Sequence, residues 1–300
     1  MRMIKVRIPA TSANMGPGFD SLGIALNLYN EFEFKELEDG LKFNGMPEEF
    51  CNESNIIYQA MKYCFDKAGY KIKGIEISEI KQDVPVSRGL GSSSTCIVGG
   101  LVGANEILGR RFSREELLQM AVEIEGHPDN VAPALLGGMV VAIVDENKTF
   151  YDKVDVKKGI KFISIIPDFR LSTSKARSVL PKEISLKDGI YNVSRAALMV
   201  ASFSSGKYEL IKYACKDAFH QNYRSKLISG FEEVYNKSYE LGALGCYLSG
   251  AGPTIMAIID EKDERFSNKL RDFLKIKGLE WNILELSLDN AGATIIEGRN

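Results

Sequence analysis

Residues 85–95 read PVSRGLGSSST, two glycines and a run of hydroxyls set between a strand-like stretch, IEISEIKQDV, and an apolar run, CIVGGLVGANEIL. Strand, glycine-bearing turn, helix is the order that leaves unpaired backbone N–H groups at the start of a helix, where they and the helix dipole attract an anion. Glycines let the backbone close on phosphate oxygens with no Cβ between. Hydroxyls in the first helical turn can donate to phosphate or ligate Mg²⁺. The junction is thus suited to hold a phosphate, while a lone G-x-G in another setting is an ordinary tight turn.

Familiar phosphate loops do not account for the string. A Walker A loop needs G-x-x-x-x-G-K-[ST], which does not occur, and a dinucleotide fingerprint needs a third glycine where Ser94 stands. No G-x-S-x-G elbow occurs, which argues against an α/β-hydrolase.

The chain has 300 residues, long enough for two domains or one large one. Hydrophobic residues are 45% and charged residues 26%, so a sizeable core is available, and a net charge of −2 with no basic block argues against a nucleic-acid partner. Cys51, Cys64, Cys96, Cys215 and Cys246 are scattered, with no C-x-x-C pair, and read as buried thiols of a reducing cytosol. The start, MRMIKVRIPA, alternates like a strand rather than a signal peptide. No run of about 18 apolar residues is present, so no membrane span is expected and the location expected is cytoplasmic.

Alternation predicts strands over Met3–Pro9, Tyr29–Glu36 and Ile72–Ile80, and a short buried strand from Gly137. Ser54 or Asn55 caps a helix to about Ala68, and a helix follows the opening loop to about Leu108. Ser113 and Glu116 make a capping box for a helix from Arg114 to about Ile124. The lysine-rich stretch Lys153–Ile160 marks a boundary between residues 1–155 and 156–300. Beyond it come a strand, Lys161–Ile166, and helices over Ser174–Leu180, Lys187–Ser204, Lys207–Asp217, Gly230–Leu241 and Asp263–Lys275. The glycine-rich strand pair GCYLSGAGPTIMAIID and a strand over Trp281–Leu288 complete the second half. Strands and helices mix without βαβ alternation, which indicates an α+β class.

The opening string resembles the second motif of the GHMP kinases, P-x-x-x-G-L-G-S-S, through Pro85, Gly89, Leu90, Gly91, Ser92 and Ser93. Residues 9–26, PATSANMGPGFDSLGIAL, resemble the first motif of that family, and residues 247–258, YLSGAGPTIMAI, the third. Within the family, S-A-N-x-G-P-G-F-D, HPDNVAPALLGG, TSKARSVLP and NYRSKLI are similar to strings of the homoserine kinase branch. The resemblance implies an α+β, two-domain GHMP kinase fold with ATP and substrate between the domains, and transfer of phosphate from ATP to the hydroxyl of L-homoserine. By family habit it also implies a homodimer.

Carried onto this chain, the resemblance assigns the loop Pro85, Val86, Ser87, Arg88, Gly89, Leu90, Gly91, Ser92, Ser93, Ser94 and Thr95 to ATP. It assigns Arg177 and Arg224 to the substrate carboxylate, a role for which a guanidinium fork is suited, and Thr173 to substrate binding. Asp20 is expected to meet the ammonium, with an N-cap to a helix near Ser21 as its structural alternative, and Asn14 and Asn130 the hydroxyl. Mg²⁺ is expected on Ser93 and on an acid before HPDN, placed at Glu123, the shortened spacing leaving Glu125 as the alternative. Asp20 and Asn130 are the expected catalytic residues. An amide takes no proton at neutral pH, and Asp129 beside Asn130 is the rival base. The expectation is catalysis without a dedicated protein base, which phosphoryl transfer tolerates. His127 is expected to pack or cap rather than to catalyse.

Overall fold

A computed structural model describes residues 3–296 of the chain. Two sheets carry the fold. The first contains β1 (Met3–Ala13), β2 (Leu22–Leu37), β3 (Gly40–Asn44), β4 (Gly74–Gln82), β5 (Met139–Asp145), β6 (Lys148–Val154) and, from the far end of the chain, β11 (Thr294–Ile296). Its order is β11-β1-β2-β4-β3, with β5 pairing the start of β2 and β6 pairing β5. The second sheet is β10 (Asn282–Leu286), β7 (Ile160–Ile166), β9 (Ile255–Asp260) and β8 (Gly245–Leu248), in that order and antiparallel throughout.

The alternating rows of the sequence become the inner face of the first sheet. Ile4, Val6 and Ile8 of β1, Phe32 and Phe34 of β2, and Ile75 and Ile77 of β4 are buried. Helices α1 (Ile56–Ala68), α2 (Ser92–Ile107), α3 (Arg114–Glu125) and α4 (Pro128–Leu136) cover that face. The apolar run after the glycine–serine loop is α2, which lies at the centre of this layer. A Cβ on Gly99 or Gly103 would overlap Phe32 or Phe34, and one on Gly100 the carbonyl of Ile57, so the helix rests directly on sheet and neighbour. The Asn55 side chain caps α1, and the Ser113–Glu116 box closes at the start of α3.

The expected boundary at Lys153–Ile160 falls in the connection between β6 and β7. A second apolar cluster joins Leu22, Ile24 and Met139 of the first sheet to Phe162, Tyr247 and Met256 of the second. α5 (Thr173–Ser178) and α6 (Leu186–Ser205) precede two four-residue turns of helix, α7 (Ile211–Ala214) and α8 (Gln221–Arg224). α9 (Phe231–Glu240) and α10 (Phe266–Ile276) back the second sheet.

Two expectations are corrected here. The helix predicted over Lys207–Asp217 is broken into a 3-10 turn at Tyr208–Leu210 and the short α7. The buried Asp217 carboxylate takes the N–H groups of Phe219, His220 and Gln221, and so starts a new turn in place of extending the old one. No helix begins near Ser21; the chain turns through Gly18 and enters β2 at Leu22, so Asp20 caps nothing.

Candidate active site

The loop from β4 to α2 passes through left-handed backbone at Ser87, Gly89 and Gly91. Gly91 is the N-cap of α2 and offers no side-chain acceptor, so the first N–H groups of the helix stay available to an anion. The two glycines answer to protein as well as to phosphate. A Cβ on Gly89 would overlap the carbonyl of Ser249, and one on Gly91 the hydroxyl of Thr11. The loop is tied on both sides. Thr11 N donates to Leu90 O at 3.1 Å, Leu171 N to Ser87 O at 3.0 Å, Thr254 N to Arg88 O at 3.2 Å and Ser249 Oγ to Gly89 O at 2.5 Å.

A cavity of about 550 Å³ opens over this loop. Its wall includes Val86, Ser87, Arg88, Gly89, Gly91, Ser92, Ser93 and Ser94 from the expected set. Pro85, Leu90 and Thr95 are not on it. Leu90 is core, and Thr95 is fully buried, donating to Ser92 O and accepting from Asn30 Nδ2. Asn14, Asp20, Asn130, Thr173, Arg177 and Arg224 all line the same cavity, although they come from four separate stretches of chain.

Asp20 and Arg177 pair with each other, Arg177 Nη1 donating to Oδ2 at 3.1 Å and Nη2 to Oδ1 at 2.7 Å. Asn14 holds this loop in place: its Oδ1 accepts from Asp20 N and its Nδ2 donates to Gly250 O, each at 3.0 Å. Arg224 is 2% exposed; Nε donates to Ala176 O at 3.1 Å and Nη1 to Gly250 O at 3.0 Å. Burial draws its pKa down to about 10, with the neighbouring Arg177 adding to the effect. Both guanidiniums lie over the ring of Phe19, at 5.5 and 5.2 Å. Buried His220 closes the network, its Nε2 on Gly16 O at 2.8 Å and its Nδ1 facing Arg224 Nη1 at 3.4 Å. Sequence reasoning gave no role to His220 or Asp217; the run D-A-F-H-Q, with an aspartate able to cap the turn ahead, is the signal that was there.

Asn130 Oδ1 accepts from Thr11 Oγ1 at 2.9 Å. His127, a wall residue of the cavity, has Nδ1 on Asp129 Oδ1 at 2.6 Å. Burial opposes its charged form, but the hydrogen bond and charge of Asp129, with Glu125 and Asp20, outweigh it and raise its pKa. Asp20, His127 and Asp129 bring ligand-type atoms within 4.8 Å of one another. Each already has a partner in Arg177 or in the other two.

The placement at Glu123 is corrected. Glu123 bonds Tyr63, Gln119 and Lys67 on the outer side of α3, away from the cavity. Glu125 lines the cavity and accepts from Ser93 Oγ at 3.1 Å and Ser94 Oγ at 3.4 Å.

Residues 55–138 match the GHMP kinases N terminal domain and residues 199–276 the GHMP kinases C terminal domain. The chain is 89% identical over 296 residues to the homoserine kinase of Clostridium beijerinckii, covering 99% of each chain. The chain belongs to the homoserine kinases of the GHMP family. Among solved structures, this kinase superposes on the homoserine kinase of Cytophaga hutchinsonii with a TM-score of 0.88 at 28% identity, over 99% of this chain and 98% of that one. The fold extends to L. major mevalonate kinase, with a TM-score of 0.71 at 15% identity over 96% of each chain. Among the described residues of the kinase no helix is long and apolar enough to cross a membrane.

The residues of the kinase fit a hard cation. Ser93 and Glu125 supply hydroxyl and carboxylate oxygens, the ligand type Mg²⁺ takes. Burial raises the pKa of Glu125 against the influence of His127 and Ser93, so its carboxylate stands where a cation would favour the charged form.

Proposed function

We propose that this chain transfers the γ-phosphoryl group of ATP to the side-chain hydroxyl of L-homoserine, giving O-phospho-L-homoserine for threonine biosynthesis. The observation that carries the reading is one cavity with two kinds of wall. An open α2 N-terminus and serine hydroxyls suit a polyphosphate. Asp20, Arg177 and Arg224, gathered against Phe19, suit an amino acid's ammonium and carboxylate. A sugar or an isoprenoid acid has no use for Asp20 as a cation partner. The clostridial relative at 89% identity carries the name homoserine kinase.

In this reading Arg177 and Arg224 take the carboxylate, with Thr173 at the start of α5 beside them. Asp20 takes the ammonium, and Asn14 sets the position of Asp20. Asn130, held by Thr11, orients the hydroxyl. Ser93 and Glu125 would hold Mg²⁺, which supplies charge neutralisation for the phosphates. No protein base is assigned. The Asp129 carboxylate is taken up by His127 and the amide of Asn130 accepts no proton, so the hydroxyl proton passes to a phosphate oxygen. Positioning and charge stabilisation carry the step.

We further read the enzyme as cytosolic, consistent with five free cysteines, as a homodimer, and as two halves, residues 1–155 and 156–300. A coupled ADP-release assay with homoserine, mevalonate and galactose tests the activity. Turnover with homoserine alone is expected. Preference for either other alcohol, or turnover with none, overturns it, the latter in favour of a ligand-binding protein on the same fold.

A further inference from the structure

Along β4 the row Ile75, Ile77, Glu79 points to one face of the sheet. Ile75 and Ile77 are buried, and Glu79 sits opposite Phe32, which is fully buried beneath α2. Cross-strand partners share a face, so a carboxyl occupies a position the pattern reserves for core. The register then shifts, Phe32 opposite Glu79 and Glu31 opposite Lys81, so the row stops here. Among the described residues no side-chain hydrogen bond or ion pair reaches the Glu79 carboxyl, and burial alone pushes its pKa up to about 7. An acid in such a place is costly unless something pairs with it.

Glu79 lines the same cavity as the glycine–serine loop. Gly45 lies on the Glu79 carbonyl, which brings the segment from Met46 to Ile57 around it, and its charge is felt at Cys96 on the first turns of α2. Met46, Phe50, Ile56, Ile57 and Cys96 give this part of the wall an apolar surface. Apolar side chains with a few polar groups among them, here Glu79 beside Glu49, Ser54, Asn55 and Gln82, suit a flat heteroaromatic ring and fix its orientation.

We propose that Glu79 reads the nucleoside half of ATP, its carboxyl accepting a hydrogen bond from the 6-amino group of adenine. The proposal rests on the ATP reading above. At the 6-position adenine offers a donor where guanine presents a carbonyl, so a carboxyl oxygen held at that position accepts from adenine and opposes the guanine oxygen. A charge-assisted hydrogen bond lost without replacement costs roughly 10- to 100-fold in binding.

The test compares ATP with purine riboside triphosphate, which lacks only the amine, in wild type, Glu79→Ala and Glu79→Gln. Product is followed by ³¹P NMR and nucleotide binding by calorimetry. Wild type should prefer ATP by at least about 10-fold in KM. Glu79→Ala should lose that preference, and Glu79→Gln, whose carbonyl still accepts, should keep part of it. Equal KM values for the two nucleotides in wild type, or an unchanged preference in Glu79→Ala, overturn the proposal. 2′-Deoxy-ATP and 3′-deoxy-ATP form the second arm: if Glu79→Ala abolishes discrimination against these and not against the missing amine, the carboxyl serves the ribose and the base assignment falls. A wild-type enzyme that turns over no ATP at all overturns the proposed function instead. The comparison within wild type holds even if a variant fails to fold.

Discussion

The carboxylate of Asp20 receives both terminal nitrogens of Arg177, reached across 157 residues of chain. The two groups that the proposed function gives to the substrate's ammonium and carboxylate are thus each other's partners before it binds. A zwitterion of matching length replaces this contact with two of its own. Asp20→Asn and Arg177→Lys should each lower kcat/KM for homoserine by about 10- to 100-fold, since a charge-assisted hydrogen bond is worth about 1.5–3 kcal/mol. Both side chains are about one-third exposed, so melting temperatures should move little. Steady-state kinetics beside thermal unfolding checks both halves of the expectation.

Glu125, and not Glu123, should matter to the metal. Glu125→Gln should reduce kcat by about 10²–10³ and raise the Mg²⁺ concentration needed for half-maximal rate. Glu123→Gln should leave both within about threefold, because its contacts are Tyr63, Gln119 and Lys67 on the outer side of α3. A Mg²⁺ titration of the rate in both variants decides between them.

His127 should titrate above its ordinary 6.5. A histidine whose folded pKa is raised adds stability that is complete below the unfolded value and is lost as pH rises through the folded one. Asp129→Asn keeps an acceptor oxygen but removes the nearest charge, and the midpoint should fall as burial then weighs more. NMR of the imidazole Cε1–H reads both positions. In the same variant series, Asp129→Ala should cost less than about 100-fold in kcat if no protein base operates; a loss of about 10⁴ with folding and binding intact would make Asp129 the base.

Glu79 opposes folding in its charged form. Its pKa rises from 4.5 in the unfolded chain to about 7, so the native state binds more protons across that window and stability falls as pH climbs through it. Glu79→Gln should therefore melt higher than wild type at pH 8 and nearly with it at pH 4.5. The difference at pH 8 should be ~1 kcal/mol after discounting for partial exposure. A variant less stable than wild type at pH 8 would contradict this account.

Much of the first half was legible because its signals are local. Alternation marked β1 and β4, Asn55 and the Ser113–Glu116 box marked the starts of α1 and α3, and the glycine–serine string marked the start of α2. What failed depended on rotation and on distance along the chain. Two positions along a helix turn a side chain about 200° round the axis, so Glu123 and Glu125 differ by little in sequence and face opposite ways. Asp217 breaks a helix that composition favours, using a carboxylate whose partners lie in the following turn. The glycines of the loop were read against phosphate alone, and the Thr11 and Ser249 atoms that also exclude a Cβ are roughly 80 and 160 residues away. That Asp20 and Arg177 meet needed the tertiary structure.

The loop's bonds to Thr11 on one side and to Ser249 and Thr254 on the other mean that neither half of the chain owns the proposed nucleotide site. β11 repeats the point, since residues 294–296 complete a sheet begun at residue 3. Recombination between two relatives at the connection after β6 would therefore splice together surfaces fitted in different lineages. The hybrid would inherit a loop shaped by one parent and a buttress shaped by the other. A change in either sheet at these contacts therefore reaches the loop.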